Sequence, residues 1–156
     1  MSSAIKARTI AIGADHAGFA LKQHLADRLR EQGFDVLDLG TDSTEPVDYP
    51  DFAAAVGRVV AAGTAERGLI VCGSGAGASI AANKINGVRS TVAHDNYTAH
   101  QAVEHDDLNV LAIGSRVVGP AVAEELVDTF LAAEFSGEER HVRRLNKVMA
   151  LEHDNG

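Results

Sequence analysis

Short apolar runs alternate along the chain with longer stretches whose apolar residues recur at helical spacing. The short runs predict five β-strands, at residues 9–13, 34–39, 68–72, 88–92 and 109–113. The longer stretches predict six helices, at residues 19–31, 51–62, 73–83, 96–104, 120–133 and 138–152. Gly33 is expected to end the first helix and Asp51 to cap the second. Because strands and helices alternate, the pattern favours an α/β fold: a single five-stranded, parallel, doubly wound (Rossmann-like) sheet with helices on both faces and a C-terminal arginine-bearing helix.

The ends of the predicted strands carry the candidate ligand-binding residues. In doubly wound sheets, ligands bind outside the carboxyl ends of the strands, where the strand order reverses. The third strand is apolar throughout, which predicts a central position with both faces covered. The polar or glycine-rich positions at strand ends are Asp15, His16, Tyr49, residues 72–77, His94, Asp95 and Arg116.

Composition limits the kind of protein and the kind of partner. A chain of 156 residues that is 46% hydrophobic predicts one domain, residues 1–156, with an ordered core at about residues 8–151 and short flexible ends. Its 22 acidic against 14 basic residues give a net charge of −8, which disfavours a nucleic-acid partner. The lone cysteine, Cys72, cannot form an intrachain disulfide, and no segment predicts a signal peptide or a membrane span. We therefore expect a cytoplasmic protein without a membrane partner.

Three alternating glycines, Gly73, Gly75 and Gly77, lie between the predicted central strand and a helix start. Without Cβ atoms a ligand can approach the backbone, and free amides at a helix start favour a phosphate or a developing oxyanion. One alternative is a tight turn alone. Another is a dinucleotide fingerprint, because Ala78 completes G-x-G-x-x-[GA] and Asp95 follows about 20 residues on. That fingerprint usually lies on the first strand, and the chain has no second half to hold a nicotinamide.

Cys72 directly precedes the glycines. A thiol that faces a helix start is stabilised as the thiolate, which can serve as a base or a nucleophile. The alternative is a small apolar core residue. At the end of the first strand, His16 can donate to an anion while Asp15 fixes its tautomer or contacts hydroxyls, unless Asp15 only caps the helix.

Two arginines, Arg140 and Arg144, are four residues apart and therefore share one helix face. Converging guanidinium groups suit a phosphate, and Arg116 could join them. The alternative is a solvated basic face beside acidic neighbours.

The segment 104–107, Glu-His-Asp-Asp, resembles a metal-binding cluster at first sight. However, His100 and His105 are five residues apart and do not share a helix face, so no metal site is predicted. A single acid or base at His105 is favoured over metal binding. A solvated polar helix end is the remaining alternative.

Taken together, these segments resemble the ribose-5-phosphate isomerase B family, which also includes galactose-6-phosphate isomerase subunits and allose-phosphate isomerases. The resemblance covers about residues 8–151. It implies a cofactor-independent aldose–ketose isomerisation of a sugar phosphate, with ribose 5-phosphate and ribulose 5-phosphate as the first pair. It also implies a homodimer or homotetramer with sites shared between chains, and no metal. The matching segments are residues 13–18, 48–50, 72–77, 80–84, 109–116 and 139–141.

The resemblance also implies a role for each residue. Cys72 is the base that moves a proton between C1 and C2 through an enediolate, and Ala78 stands where a branch without this cysteine has a glutamate. Ser74 assists proton transfer between O1 and O2, and His105 opens the furanose ring. The amides of Gly75 and Gly77 hold the enediolate oxygen. The other substrate-binding positions are Gly73, Asp15, Tyr49 and Asp106, with phosphate ligands at His16, Arg116, Arg140 and Arg144.

One position departs from the family pattern. Family members typically have His-Asn where this chain has His105 and Asp106. An asparagine can donate to a sugar oxygen, whereas an ionised aspartate only accepts and disfavours a nearby oxyanion. A hexose or tetrose phosphate is therefore an alternative substrate, and a non-catalytic subunit that binds a sugar phosphate or nucleotide is an alternative function.

Overall fold

A single sheet of five parallel strands forms the centre of the structure, a computed structural model that describes residues 8–154. The expected flexible ends at residues 1–7 and 155–156 lie outside the described residues. The strand order is β2-β1-β3-β5-β4, and every neighbouring pair is parallel, which confirms the predicted fold class. The strands are β1 (Thr9–Ala14), β2 (Asp35–Asp38), β3 (Arg67–Cys72), β4 (Ser90–Val92) and β5 (Val110–Gly114).

Five of the six helices in residues 8–154 cover the two faces of the sheet, and the sixth, α6, packs on α4. One buried apolar cluster joins the sheet to α1, α4 and α5, and a second joins the opposite face to α2 and α3. β3 is buried from Gly68 to Cys72, as its apolar sequence predicts. The helices are α1 (Phe19–Glu31), α2 (Tyr49–Ala61), α3 (Ala76–Ala82), α4 (Asn96–Asp106), α5 (Pro120–Ala132) and α6 (Glu139–Asp154).

The strand order reverses between β1 and β3, which are neighbours in the sheet. After β1 the chain turns into α1 on one face, and after β3 it turns into α3 on the other. A crevice therefore opens between the carboxyl ends of these two strands. Asp15 follows β1 directly, and the glycine-rich residues 73–77 follow β3.

Several helix ends differ from the sequence prediction by one to three residues, the start of α3 at Ala76 the most. α2 begins at Tyr49, not at residue 51: Asp48 occupies the N-cap position, Pro50 lies in the first turn where its missing N–H is harmless, and Asp51 is inside the helix. α4 continues to Asp106, so His105 lies in its last turn. α6 continues to Asp154, two residues beyond its predicted end.

The last turns of α6 are held by a contact that no local pattern indicates. The carboxylate of Glu152 accepts a hydrogen bond from the Gly87 N–H at 2.8 Å. Elsewhere α6 packs loosely, since His141 is its one buried residue. No helix in residues 8–154 is long and apolar enough to cross a membrane.

Candidate active site

Cys72 and the glycine-rich residues after it form the centre of a first group of candidate residues. The Cys72 side chain is 5% exposed, and its Sγ accepts a hydrogen bond from the Gly75 N–H at 3.1 Å. Gly75 makes this possible because its φ of +82° turns the chain sharply into α3. Its amide is therefore directed at the sulfur in this structure. The Gly77 amide lies in the first turn of α3, where amides have no helical partner.

The turn after β5 holds the start of the glycine-rich loop through backbone hydrogen bonds. Ser115 N–H donates to the Cys72 carbonyl at 2.8 Å, and Arg116 N–H donates to the Gly73 carbonyl at 3.0 Å. The Arg116 side chain runs along Gly73, with Cδ, Nε and Cζ 3.7–3.9 Å from the position a Cβ would take there. Ser74 is exposed, and its hydroxyl accepts from Ala76 N–H at 3.2 Å. Cys72, Ser74 and Arg116 are thus brought to one place.

Tyr49 joins this place from the start of α2. A Cβ at Gly77 would lie 2.6 Å from Cε1 and 2.7 Å from Cζ of the tyrosine ring. The ring therefore packs against the backbone of Gly77, and a glycine is required for that contact. Because α2 begins at residue 49, the ring reaches the loop from the first turn of that helix.

Asp15 and His16 lie beside the same loop, at the end of β1. Asp15 is 8% exposed, and its Oδ1 accepts from Gly18 N–H at 3.0 Å, so the expected alternative of a helix-start contact is present. His16 Nδ1 accepts from Val47 N–H at 3.1 Å, which leaves the ring proton on Nε2 as the donor. The tautomer is fixed by Val47, and the expectation that Asp15 fixes it is wrong. The contact joins positions 31 residues apart, so no sequence signal could have revealed it.

These residues define the loop cluster: Asp15, His16, Tyr49, Cys72, residues 73–77 and Arg116.

The remaining candidate residues lie together on α4 and α6. The rings of His105 and His141 stack with centroids 4.0 Å apart and planes at 25°. Gln101 Nε2 donates to His105 Nδ1 at 2.9 Å, which leaves the proton on Nε2 of that ring. Arg140 and Arg144 flank His141 on α6, and both are exposed. We call His105, Asp106, Arg140, His141 and Arg144 the helix cluster.

His141 is 2% exposed, and its Nδ1 is 2.6 Å from the Ser136 hydroxyl. Burial lowers the pKa of His141, and electrostatic interactions with the neighbouring His105, Arg140 and Arg144 lower it further, whereas Glu138 raises it. A neutral ring therefore lies under His105. The sequence analysis noted His141 within a matching segment but assigned it no role.

Within one chain the two clusters lie at opposite ends of the strands, one at the carboxyl ends and the other at the amino ends. α4 starts where β4 ends, at the carboxyl ends of the strands, and it ends just before β5 begins, at their amino ends. Its 11 residues span about 16 Å at 1.5 Å per residue. His105 therefore lies far from Cys72, which ends β3 at the carboxyl edge. The predicted site residues form two separate groups in a single chain.

A large groove lies beside the helix cluster and not at Cys72. It has a volume of about 990 Å³ and runs between α6, α4 and the edge strand β4. Asp106, which is exposed, lines it together with apolar residues of α6. The hydroxyl of Ser90 on its wall is buried and has no hydrogen-bond partner among residues 8–154. The apolar α6 residues on the groove are Leu145, Val148 and Leu151.

The histidines of α4 make protein contacts that differ from those of a metal site. His100 bonds to the carboxylate of Glu104 one turn further along the helix. Within residues 8–154, no three His, Cys, Asp or Glu side chains come together in an arrangement that could hold a metal ion.

The fold and the loop cluster define a class of protein: a parallel α/β domain that presents a cysteine, backbone amides and basic side chains at its switch point. The family model described as Ribose/Galactose Isomerase matches residues 10–148. The chain belongs to this family, which confirms the resemblance found in the sequence and makes it an aldose–ketose isomerase.

Individual relatives agree with this assignment. The chain is 45% identical to ribose-5-phosphate isomerase B of Escherichia coli, over 93% of this chain and 97% of that protein. It is 42% identical to the D-erythrulose-4-phosphate isomerase of Pectobacterium atrosepticum, over 83% and 86% of the two chains. Among solved structures, ribose-5-phosphate isomerase B of Clostridium thermocellum superposes with a TM-score of 0.93 at 46% identity, covering 95% of this chain and 99% of that one.

Proposed function

We propose that this sugar-phosphate isomerase interconverts ribose 5-phosphate and ribulose 5-phosphate without a cofactor, with Cys72 as the base. The names of the relatives from E. coli and C. thermocellum support this substrate. The observation that carries the mechanism is the Cys72 sulfur at the carboxyl end of β3, 3.1 Å from the Gly75 amide. The proposal treats residues 1–156 as one isomerase domain that works in the cytoplasm, where its single thiol stays reduced.

The proposed chemistry is a proton transfer that is balanced within the substrate. The Cys72 thiolate takes the proton from C2 of the open-chain aldose, and the electron pair forms the C1–C2 double bond of an enediolate while O1 gains the charge. The O2 proton then passes to O1, the electron pair left on O2 forms the C2 carbonyl, and the Cys72 thiol returns its proton to C1, which gives the ketose and regenerates the thiolate. The hydrogen bond from the Gly75 N–H holds the Cys72 sulfur at the start of α3, where the proposed proton transfer takes place. With Gly75 used in this way, the Gly77 amide is the proposed donor to the enediolate, and Ser74 moves the proton between O1 and O2.

The phosphate is proposed to bind at basic side chains away from the reacting carbons. Arg116 lies along Gly73, and His16 presents Nε2–H because Val47 occupies its other nitrogen. Arg140 and Arg144 project into solvent from α6, and Arg140 contacts the Glu138 carboxylate at 3.3 Å. Exposed guanidinium groups on an acidic protein provide the local positive charge that an anionic substrate needs.

The position of His105 supports a site shared between two copies of the chain. Its proposed role is to open the furanose ring, which requires contact with the same substrate that Cys72 deprotonates. Within one chain the two residues lie at opposite edges of the sheet. We therefore propose a homodimer, or a homotetramer built from two such dimers, in which the helix cluster of one chain completes the loop cluster of the other.

Proton NMR of ribose 5-phosphate in D₂O tests the base. We expect ribulose 5-phosphate with solvent deuterium at the migrating position from the wild type, and neither product nor exchange from Cys72→Ala. The matched control is Cys72→Ala titrated with ribulose 5-phosphate, which should still bind because the phosphate ligands are intact. Near-normal turnover by Cys72→Ala would show that the base is another group.

Mixing two inactive variants tests the shared site. Cys72→Ala and His105→Gln are each expected to have little activity, but a mixed dimer contains one site in which both residues are intact. After subunits exchange freely, about a quarter of the wild-type activity should return, because half of the dimers are mixed and each has one intact site in two. If no activity returns although mixed dimers form, the two residues act within one chain.

A tetrose phosphate is the second candidate substrate, and two observations favour it. One is the 42% identity to the D-erythrulose-4-phosphate isomerase of P. atrosepticum. The other is Asp106, a carboxylate beside the proposed ring-opening residue, where an oxyanion is disfavoured. A four-carbon 4-phosphate has no free hydroxyl to close a furanose ring, so His105→Gln should reduce turnover of ribose 5-phosphate strongly and turnover of erythrulose 4-phosphate little.

Comparing kcat/KM for pentose, tetrose and hexose phosphates decides among the substrates. A higher value for the tetrose, lost in Asp106→Asn, would replace ribose 5-phosphate in the proposal. Thermal stabilisation by all three classes without turnover of any would instead favour a non-catalytic binding subunit.

A further inference from the structure

His94 makes a contact at the carboxyl edge of the sheet that the proposed mechanism does not use. Its ring Nε2 accepts a hydrogen bond from Gly114 N–H at 2.9 Å. β4 ends at Val92, and the Ala93 N–H to Ala112 carbonyl bond at 3.3 Å is the last backbone contact between this segment and β5. The His94 side chain thus takes the place of the carbonyl that a longer β4 would offer to Gly114.

The Gly114 peptide held by His94 lies directly under the glycine-rich loop. A Cβ at Gly114 would lie 2.6 Å from both the carbonyl carbon and the oxygen of Ser74. A Cβ at Gly75 would lie 3.1 Å from the carbonyl carbon of Ile113 and 3.2 Å from the nitrogen of Gly114. The backbones therefore pack at the closest approach that glycines allow. A shift of the Gly114 peptide cannot be absorbed without moving the loop.

This packing connects His94 to the proposed base and to a proposed phosphate ligand. Gly75, which packs on the Gly114 peptide, donates its N–H to the Cys72 sulfur. On the other side, residues 114–117 form a turn closed by the Val117 N–H to Gly114 carbonyl bond at 3.0 Å. Arg116 is in that turn.

We propose that His94 is a positioning residue, whose neutral ring holds the Gly114 peptide and thereby sets the geometry of Cys72, Gly75 and Arg116. This inference rests on the proposed function as far as activity is concerned. The structural part of the proposal, that the imidazole Nε2 lone pair holds the loop in place, depends on the contacts alone and not on the reaction. A misplacement of about 1 Å in a catalytic group costs as much as about a hundredfold in rate, so a small shift here is measurable.

The charges around His94 are consistent with a neutral ring. Burial lowers the pKa of His94, and the neighbouring Asp95 opposes this to a smaller extent. The Asp95 carboxylate is itself engaged by the N–H and the hydroxyl of Thr98, at 2.7 and 2.8 Å. A protonated ring would carry a hydrogen on Nε2 and could not accept from Gly114.

Two amide substitutions that differ by one methylene group test the role. His94→Gln places an amide oxygen where Nε2 now lies, so it can accept from Gly114 N–H. His94→Asn is too short to reach it. We expect His94→Gln to keep kcat/KM within about threefold of wild type, and His94→Asn to lose about tenfold or more, since a catalytic constellation depends on sub-ångström placement. His24→Gln, the same change at an exposed histidine on α1 that pairs with Glu124, is the matched control.

Amide NMR gives a second readout that does not depend on the substrate. Hydrogen exchange of the Gly114 amide should be faster in His94→Asn than in wild type, with shifted resonances for residues 73–77, and His94→Gln should restore both. Equal kcat/KM in the two amide variants, or unchanged residues 73–77 in His94→Asn, would overturn the positioning role. If the wild type turns over no sugar phosphate, the proposed function fails, while the NMR comparison still decides whether His94 holds the loop.

Discussion

Replacing Gly114 by alanine perturbs the support of the glycine-rich loop without touching a charged or reactive group. The added Cβ would lie 2.6 Å from the Ser74 carbonyl carbon and oxygen and 2.8 Å from its Cα. To regain ordinary contact, the loop backbone must move by about 0.8 Å, because close-packed interiors offer no spare volume. Since the clash is with backbone, no side-chain rotation can relieve it.

Both the stability and the activity cost can be worked from this displacement. Overpacking of this kind costs about 1–3 kcal/mol in the free energy of unfolding. For a chain of this length that corresponds to a fall in Tm of about 3–10 °C. Because Ser74, Gly75 and the Cys72 hydrogen bond move together, we expect kcat/KM to fall about a hundredfold, more than the stability loss alone would cause.

The assay is kcat/KM at a temperature well below Tm, with thermal unfolding measured on the same preparation. Gly119→Ala is the matched control, because a Cβ there meets nothing within 4 Å. We expect the control to keep wild-type kcat/KM. If Gly114→Ala retained wild-type kcat/KM and Tm, the loop would not be held against β5 as described.

Three further predictions concern stability. The buried Lys22 ammonium lies 2.8 and 2.9 Å from the two carboxylate oxygens of Asp38, and Asp38→Asn leaves it without a counter-charge. We expect the free energy of unfolding in urea to fall by about 2–3 kcal/mol, less than for a fully buried ion pair, because Asp38 is partly exposed. Lys22→Met should be better tolerated, and an equal loss in both would contradict this account. His94 and His141 have lowered pKa values in the folded chain, so the unfolded chain binds more protons as the pH falls below about 6.5. The free energy of unfolding should therefore be maximal above that pH and decline below it. A flat profile from about pH 7.5 to 5.5 would refute the buried neutral rings. Asp128→Asn removes the charge that pairs with Arg28 at 2.7 Å on the surface. We expect the free energy of unfolding to fall by less than about 1 kcal/mol, and the effect to shrink at high salt. A larger or salt-independent loss would show that the pair is not solvated.

The local elements of the fold were predictable because their signals are local. α1 has the predicted bounds, Phe19–Glu31, since its apolar spacing and the following Gly33 act within one or two turns. α6 extends to Asp154, beyond the prediction, because a contact between Glu152 and the distant Gly87 N–H stabilises its last turns. Such a contact has no signature in the neighbouring residues.

The loop cluster was also largely predictable, because adjacency in the chain guarantees adjacency in space. Cys72 precedes the glycines directly, and the carboxyl ends of parallel strands meet at one edge, so Asp15 and Arg116 were expected nearby. The sequence assigned the Gly75 amide to the substrate, whereas in the structure it donates to the sulfur of Cys72. The direction in which one amide points depends on the φ of that residue and on the packing around it.

The sequence by itself determined the order of strands and helices, the family and the type of reaction, because periodicity, glycine spacing and short motifs reside in neighbouring positions. Only the tertiary structure decided how those residues are oriented and grouped. Val47 sets the His16 tautomer, His141 stacks under His105, and His94 holds Gly114, each through a contact between segments that the chain order does not bring together. The separation of His105 from Cys72 likewise follows from the course of α4 from one edge of the sheet to the other, a consequence of three-dimensional packing that no single segment encodes.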